Sequence, residues 1–145
     1  YEKLKNLSGN FILDSLDQIQ KVNGKPQINT IGLLTAPKLT KENTRINWLD
    51  NGKKIVKKIR GLSPAPGAWS LIKDSNKIIK IYDSLFHELN HDFQIGKIFI
   101  KSSNKLMVAV DNGALEILSL KIEGKKRISG PDYVNGLKNK TLKLI

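Results

Sequence analysis

Residues Ile46–Trp69 read INWLDNGKKIVKKIRGLSPAPGAW. The stretch opens as an amphipathic helix and closes in a rigid turn. At about 100° per residue, Ile55, Val56, Ile59 and Leu62 share one arc of a helical wheel, and Lys53, Lys54, Lys57, Lys58 and Arg60 fall on the opposite arc. One face asks for a core; the other carries cations and no acid. Asp50 is expected to cap the start, where a carboxylate can accept free backbone N–H groups. Gly61 and the run Pro64-Ala65-Pro66-Gly67 are expected to stop the helix, because proline has no N–H to donate. A solvated helix surface is the ordinary reading of a basic face. Solvated faces usually mix signs, however, and a single-sign face on a strongly basic domain is the footprint of a polyanion binder.

The charge balance of the whole chain agrees with that reading. Its 145 residues include 25 Lys plus Arg against 13 Asp plus Glu, a net charge of +12. The length suits one domain with an appended segment and a modest core. A hydrophobic share of 39% is low for a globular domain but above what disorder predicts. Cysteine is absent, which excludes disulfides, a thiolate nucleophile and Cys-ligated metal, and is compatible with a cytoplasmic location. No apolar run approaches the roughly 20 residues of a membrane span, and no signal-like start is visible. The chain opens on Tyr1 inside a helical pattern, so it is expected to be the C-terminal part of something longer.

Leu4, Leu7, Phe11, Ile12, Leu16 and Ile19 recur mostly three and four apart, which predicts an amphipathic helix over Tyr1–Gln20, weakened by Gly9. Gly24, Pro26, Gly32 and Pro37 break the pattern and mark a linker. The expected division is a helical segment over 1–21, a linker over 22–40 and a domain over 41–145. Thr40 is placed to cap a short turn, with Asn43 a weak substitute for the Glu or Gln of a full capping box. After the central helix the period becomes two. Ala68–Lys73 and Lys77–Tyr82 are predicted strands about the turn Asp74-Ser75-Asn76, with Ile79 and Ile81 alternating with Lys80 and Tyr82. Asp83–Ile95 reads as a long irregular loop. Lys97–Lys101, Leu106–Val110 and Ala114–Ile122 follow as strands, and the Asn112-Gly113 pair is the strongest hairpin signal present. Pro131–Gly136 is a predicted short helix, and the basic tail Leu137–Ile145 is expected to fray. The fold expected is mainly β with flanking helices (α+β): a small OB-like β-barrel, closed or partly open, with one packed amphipathic helix. A β-sandwich is the alternative, for which five strands are few.

The motifs carry a resemblance. Ala36-Pro37-Lys38-Leu39-Thr40-Lys41-Glu42 with Ile46-Asn47-Trp48, then Ile59-Arg60-Gly61-Leu62-Ser63-Pro64-Ala65-Pro66-Gly67-Ala68-Trp69, then Val108-Ala109-Val110-Asp111-Asn112-Gly113 with Leu115–Leu120 and Gly124-Lys125-Lys126, stand in order along nearly the whole chain. Together they resemble the C-terminal part of methionyl-tRNA formyltransferase. Asn43 and Asn47 stand where acids are expected in that family, Ala65 where a tryptophan is usual, and Ile128 where a methionine is common. The resemblance implies an OB-like domain that helps hold initiator methionyl-tRNA. It also implies formyl transfer from 10-formyltetrahydrofolate by an N-terminal catalytic domain whose catalytic and folate-binding motifs have no counterpart here. Tyr1–Gln20 would then be the last helix of that domain, with self-association through its apolar face as the other way to cover it. No catalytic residue, cofactor or metal is assigned to this chain itself, and no membrane partner.

Binding tRNA needs Lys and Arg spread over one surface, neutralising phosphates and releasing counterions. The expected set is Lys38, Lys41 and Arg45 of the linker region, Lys53, Lys54, Lys57, Lys58 and Arg60 of the helix, and Lys125, Lys126 and Arg127 of the following turn. Such contacts position RNA without reading bases. Aromatic residues are only 6% of the chain, which argues against readout of splayed bases; Trp48 and Trp69 are expected to pack. A stand-alone OB-type RNA- or ssDNA-binding module is the alternative. His87-Glu88-Leu89-Asn90-His91 spells H-E-x-x-H, which on a helix would place two imidazoles on one face for zinc with the glutamate as base. These are the only histidines, and the third ligand of such a zinc hydrolase would fall to an acid such as Glu116. No G-x-S-x-G, P-loop or dinucleotide fingerprint is present.

Overall fold

A computed structural model describes residues 2–19, 21, 24, 26, 28, 32–33, 35–73, 75–101, 104–137 and 143–145. The chain divides into two compact units, Tyr1–Pro37 and Lys38–Ile145.

In the first unit, helix α1 runs over Glu2–Ile19 and holds no buried residue. Leu4, Leu7, Phe11, Ile12, Leu16 and Ile19 are all exposed, so the three-and-four spacing yields an apolar stripe without cover.

The second unit begins with α2 (Lys41–Thr44). Thr40 Oγ1 accepts from Asn43 N at 3.3 Å while Thr40 N donates to Asn43 Oδ1 at 2.8 Å, so asparagine completes a capping box at the position expected to weaken it. Helix α3 follows over Gly52–Leu62 and buries Ile55, Ile59 and Leu62. Burial of side chains of this size stabilises by about 1.5–3 kcal/mol each. Its cap is Asn51, whose side chain accepts from Lys53 N at 2.9 Å, and not Asp50. Asp50 lies one residue too early and instead pairs with Lys54, four residues on, at 2.9 Å.

Six strands form one antiparallel sheet: β1 (Ala68–Leu71), β2 (Ile78–Glu88), β3 (Ile98–Lys101), β4 (Lys105–Val110), β5 (Gly113–Ile122) and β6 (Arg127–Ser129). The order is β1-β2-β5-β4-β3. β4 and β6 share one edge of β5, β4 opposite its residues 113–116 and β6 opposite 119–121. Of the stretch Asp83–Ile95 expected as irregular, Asp83–Glu88 is the second half of β2, which continues beyond two register shifts around Asp83, while residues 89–95 form no helix or strand. A shifted register breaks the period-two pattern, and with it the sequence signal. At Gly113, where β5 begins, an added Cβ would stand 2.2 Å from the carbonyl oxygen of His87, so only glycine admits this approach of β2 to β5.

Of the closed or partly open barrel expected, the named strands form an open sheet, not a closed barrel. The four-residue edge strands β1 and β3 do not pair with each other. The segment 143–145 joins both edges instead, through bridges Ile72 to Leu144 and Lys97 to Lys143. Leu71 and Ile145 exchange backbone hydrogen bonds at 3.0 and 3.2 Å, and Leu144 N donates to Gly96 O at 2.8 Å. The expected fraying of the tail is likewise corrected at its last residues, because Leu144 is part of the core; residues 138–142 lie outside those described. Trp48 Nε1 donates to Ser70 Oγ at 2.9 Å, and Ser70 Oγ donates to Ile145 O at 2.8 Å, tying helix approach, first strand and tail together.

The core lies between α3 and the inner sheet face and includes Ile55, Ile59, Ile79, Ile81, Val108, Leu115, Ile117 and Leu120. Helix α4 (Gly130–Gly136), capped by Ser129 with a proline in its first turn, packs against β4 and β5. One sheet face is thus covered, leaving Trp69, Lys80, Lys121 and Arg127 on the outer face of β1, β2, β5 and β6.

Candidate nucleic-acid interface

The predicted helix face exists, but it is not acid-free in space. Lys53 Nζ lies 2.7 Å from Glu88 Oε1 at the end of β2, and Lys54 pairs with Asp50. The Lys53 ammonium, through its hydrogen bond and its charge, holds the Glu88 carboxyl below its ordinary value. Lys58 bends back so that its Nζ donates to the carbonyl oxygen of Arg45. Burial lowers its pKa, with the charge of Lys54 adding to the shift and that of Asp50 opposing it. Among the described residues, Lys57 and Arg60 have no acidic partner within ion-pair distance and remain exposed. The stripe therefore divides into two free cations, two acid-paired cations and one that ties α3 to Arg45.

Arg45 belongs to a second basic surface. Its backbone bridges that of Trp69, and its guanidinium lies 5.5 Å from the Trp69 ring centroid, with the Lys41 ammonium at 5.6 Å. Trp69 Nε1 donates to Lys41 O at 2.8 Å. Both tryptophans pack, as expected: Trp48 in the core, Trp69 beneath these two cations. Lys38 is exposed at the foot of α2, where its carbonyl accepts from Asn43 Nδ2.

From Trp69 the strand register carries the surface across the sheet. Trp69 pairs with Lys80, Lys80 with Lys121, and Lys121 with Arg127. Directly opposed residues of neighbouring strands project to the same face, so Arg45, Trp69, Lys80, Lys121 and Arg127 form one cross-strand row. Lys80 Nζ donates to Pro66 O at 2.8 Å, and Arg127 Nε donates to Ser119 Oγ at 2.7 Å with its guanidinium 4.4 Å from the Tyr82 ring centroid. No ion pair among the described residues involves a member of the row. The acids nearest its members by sequence and register are Glu42, three residues before Arg45, Asp83, opposite Ser119, and Glu123, whose Oε2 accepts from Ile78 N at 3.2 Å. A groove of about 480 Å³ beside the row is bordered by Leu39, Lys41, Pro66, Trp69, Ile78 and Lys80.

Sequence reasoning missed Lys80 and Lys121. The alternation of Lys80 and Tyr82 with Ile79 and Ile81 marks the outward face of β2, but only the register brings Lys121 beside Lys80. The expected basic turn also divides. Arg127 opens β6 and joins the row, whereas Lys125 and Lys126 border a recess of about 110 Å³ with Asp132 and Tyr133 of α4.

The H-E-x-x-H run is no helix, and the zinc hydrolase it spelled is corrected. His87 and Glu88 end β2, and the other three residues follow outside any helix. His87 Nε2 is 2.7 Å from Glu116 Oε2, which also accepts from Lys105 Nζ at 3.1 Å. Burial pushes the Glu116 carboxyl up, but the hydrogen bonds and charges of Lys105 and His87 outweigh it and leave its pKa lowered. His91 Nε2 faces two carbonyl oxygens, Val110 at 3.0 Å and Gly113 at 2.7 Å, and must carry the proton to donate to them. Its Nδ1 accepts from Phe93 N at 3.2 Å. His87 Nε2 thus ties the end of β2 to β5, and His91, with both ring nitrogens engaged, fastens the segment after β2 to the β4–β5 hairpin. Among the described residues, no group of three or more potential ligands gathers.

Residues 38–138 match the family described as "Formyl transferase, C-terminal domain". The chain belongs to that family. Among curated relatives, methionyl-tRNA formyltransferase of Flavobacterium johnsoniae is 38% identical over 144 residues, covering 94% of this chain and 44% of the relative. Its counterpart in Rickettsia bellii is 36% identical over 138 residues, covering 95% of the chain and 43% of the relative. The chain thus spans less than half the length of the curated relatives it matches. Among solved structures, HypX from Aquifex aeolicus in complex with tetrahydrofolic acid aligns with a TM-score of 0.60 at 18% identity, covering 88% of this chain and 23% of HypX. At that identity the likeness concerns the fold. Among the described residues, no helix is long and apolar enough to cross a membrane.

Proposed function

We propose that this chain is the C-terminal, tRNA-holding part of a methionyl-tRNA formyltransferase, and that formyl transfer from 10-formyltetrahydrofolate to initiator methionyl-tRNA is carried by a catalytic domain outside these residues. The observation that carries this reading is family membership over residues 38–138, joined to relatives that bear that name. The chemistry agrees: the face of α3 offers Lys57 and Arg60 free of acids, and Arg45 and Lys41 extend positive charge from it. Lys38, Lys125 and Lys126 are outlying phosphate contacts in this reading. The chain alone is inactive. It binds the body of the tRNA and thereby presents the acceptor end to the distant catalytic site, so that binding energy remote from the reacting atoms orients them.

The folate co-substrate belongs to the catalytic domain, and the protein works in the cytoplasm, where initiator tRNA is charged. The exposed stripe of α1 covers that catalytic domain in the whole protein, and in the isolated chain it drives self-association. The test is anisotropy binding of initiator tRNA and of an elongator tRNA at two salt concentrations. Affinity for either RNA that falls steeply with salt is the expected result. No binding at low salt would overturn the reading.

A further inference from the structure

Resting on the proposed function, we propose that the apolar groove between the tail and the turn before α3 is the seat of the catalytic domain that lies outside these residues. The groove has a volume of about 460 Å³. Ile46, Trp48 and Leu144, all buried, line it, and Leu49 and Ile145 border it with 73% and 40% of their surface exposed. Both exposed residues are held by the backbone. Asp50 N donates to Asn47 O at 3.2 Å and Leu49 N to Asn47 Oδ1 at 3.2 Å, while Ile145 exchanges hydrogen bonds with Leu71. An apolar side chain already fixed in place costs little further ordering when a partner covers it.

Size and charge decide the occupant. Ten residues border the groove, against about 20–30 a side in a stable interface between free partners. A contact that small suits a partner already tethered to it. Leu49 lies nine residues beyond the linker 22–40, and those nineteen residues reach at most about 68 Å when fully extended. A domain confined within that radius is present at an effective concentration of about 1 mM or more, so a contact too weak to gather free partners is still occupied. The curated relatives are more than twice as long as the stretch they share with this chain, which leaves room for such a domain. RNA fits the groove poorly. Its rim is mixed, with Glu42 beside Arg45, and the Lys143 ammonium donates to Gln94 Oε1 at 3.0 Å. Docking here gives the two domains a set relation, which binding energy from the body of the tRNA needs if it is to orient the acceptor end.

The test is hydrogen exchange at the backbone amides of residues 47–50, in this chain and in the whole protein, each as parent, Leu49→Gln and Leu49→Met. Leu49 is exposed in the chain, so neither substitution disturbs the core. Exchange in the parent whole protein is expected to be at least about threefold slower than in the chain. Leu49→Gln is expected to restore the rate of the chain, because losing a buried leucine weakens docking by about tenfold or more. Leu49→Met keeps the apolar volume and is expected to keep the protection. Equal rates in chain and whole protein, or protection that survives Leu49→Gln, would overturn the docking site. Slowing in the chain alone as its concentration rises would assign the groove to a second copy, and slowing on adding initiator tRNA to the chain alone would assign it to RNA. Either result also overturns the proposal. Formylation of methionyl-tRNA by the whole parent protein separates the two readings: activity with equal exchange rates removes only the groove, and absent activity removes the proposed function.

Discussion

The two basic surfaces differ in how they are made. The α3 cations come from one helix, gathered by its period, and three of the five are engaged locally: Lys53 on Glu88, Lys54 on Asp50 and Lys58 on Arg45 O. The row on the sheet draws single cations from distant segments, and none is ion-paired among the described residues. A stripe that is conspicuous in sequence can thus be weaker as a free electrostatic surface than one that register assembles silently.

That contrast can be broken at its foundations first. Ile59→Ala removes a buried anchor beneath the helix cations and is expected to cost about 2–5 kcal/mol in urea unfolding. A loss below about 1 kcal/mol would mean that α3 does not depend on its apolar face. Ser70→Ala acts at the other surface, since it leaves Trp48 Nε1 without its acceptor and takes the hydroxyl donor from Ile145 O beside the start of the row. The expected cost is about 1–3 kcal/mol, and an unaltered midpoint would show that this relay contributes nothing.

The pH response sharpens the comparison from outside both surfaces. Glu116 has its pKa lowered in the folded chain: burial raises it, but Lys105 and His87 more than offset that. Its stabilisation is therefore complete above the unfolded value near 4.5 and is lost as pH falls through the depressed folded value. Melting temperature should drop across that acid window, and Glu116→Gln should be less stable at neutral pH with a flatter fall. An identical pH profile for parent and variant would contradict the assignment. Smallest of all, Lys53→Ala and Lys54→Ala should leave the unfolding midpoint nearly unchanged, because solvent screens both pairs, in which only Asp50 is partly buried. They should also weaken RNA binding less than Lys57→Ala or Arg60→Ala. Equal losses would erase the distinction between paired and free cations.

Much of the fold was legible because its signals were local. Helical spacing marked α1 and α3, Asn112-Gly113 marked the β4–β5 turn, and Pro131 with Gly136 marked α4. What escaped depended on contacts remote in sequence. The register shifts around Asp83 hid the second half of β2, and no local pattern shows that Leu144 fills a place between Ile72 and Gly96. Whether the sheet closes was hidden for the same reason: the short edge strands do not meet, and the tail joins them instead. In the candidate interface, Arg45 and the α3 cations were readable, but Lys80 and Lys121 were not paired until register was known. The H-E-x-x-H run misled because a motif carries chemistry only on the element it requires, and here its histidines end a strand and fasten a loop.

The most direct test of the two-surface account is the salt dependence of initiator-tRNA binding for four proteins: the parent, Lys57→Gln/Arg60→Gln, Lys80→Gln/Lys121→Gln, and the combination. The account expects each pair to flatten the log–log slope by about 1.4–1.8 and the combination to flatten it by roughly twice that. A combination no flatter than Lys57→Gln/Arg60→Gln would mean that α3 alone meets the RNA, contradicting the account.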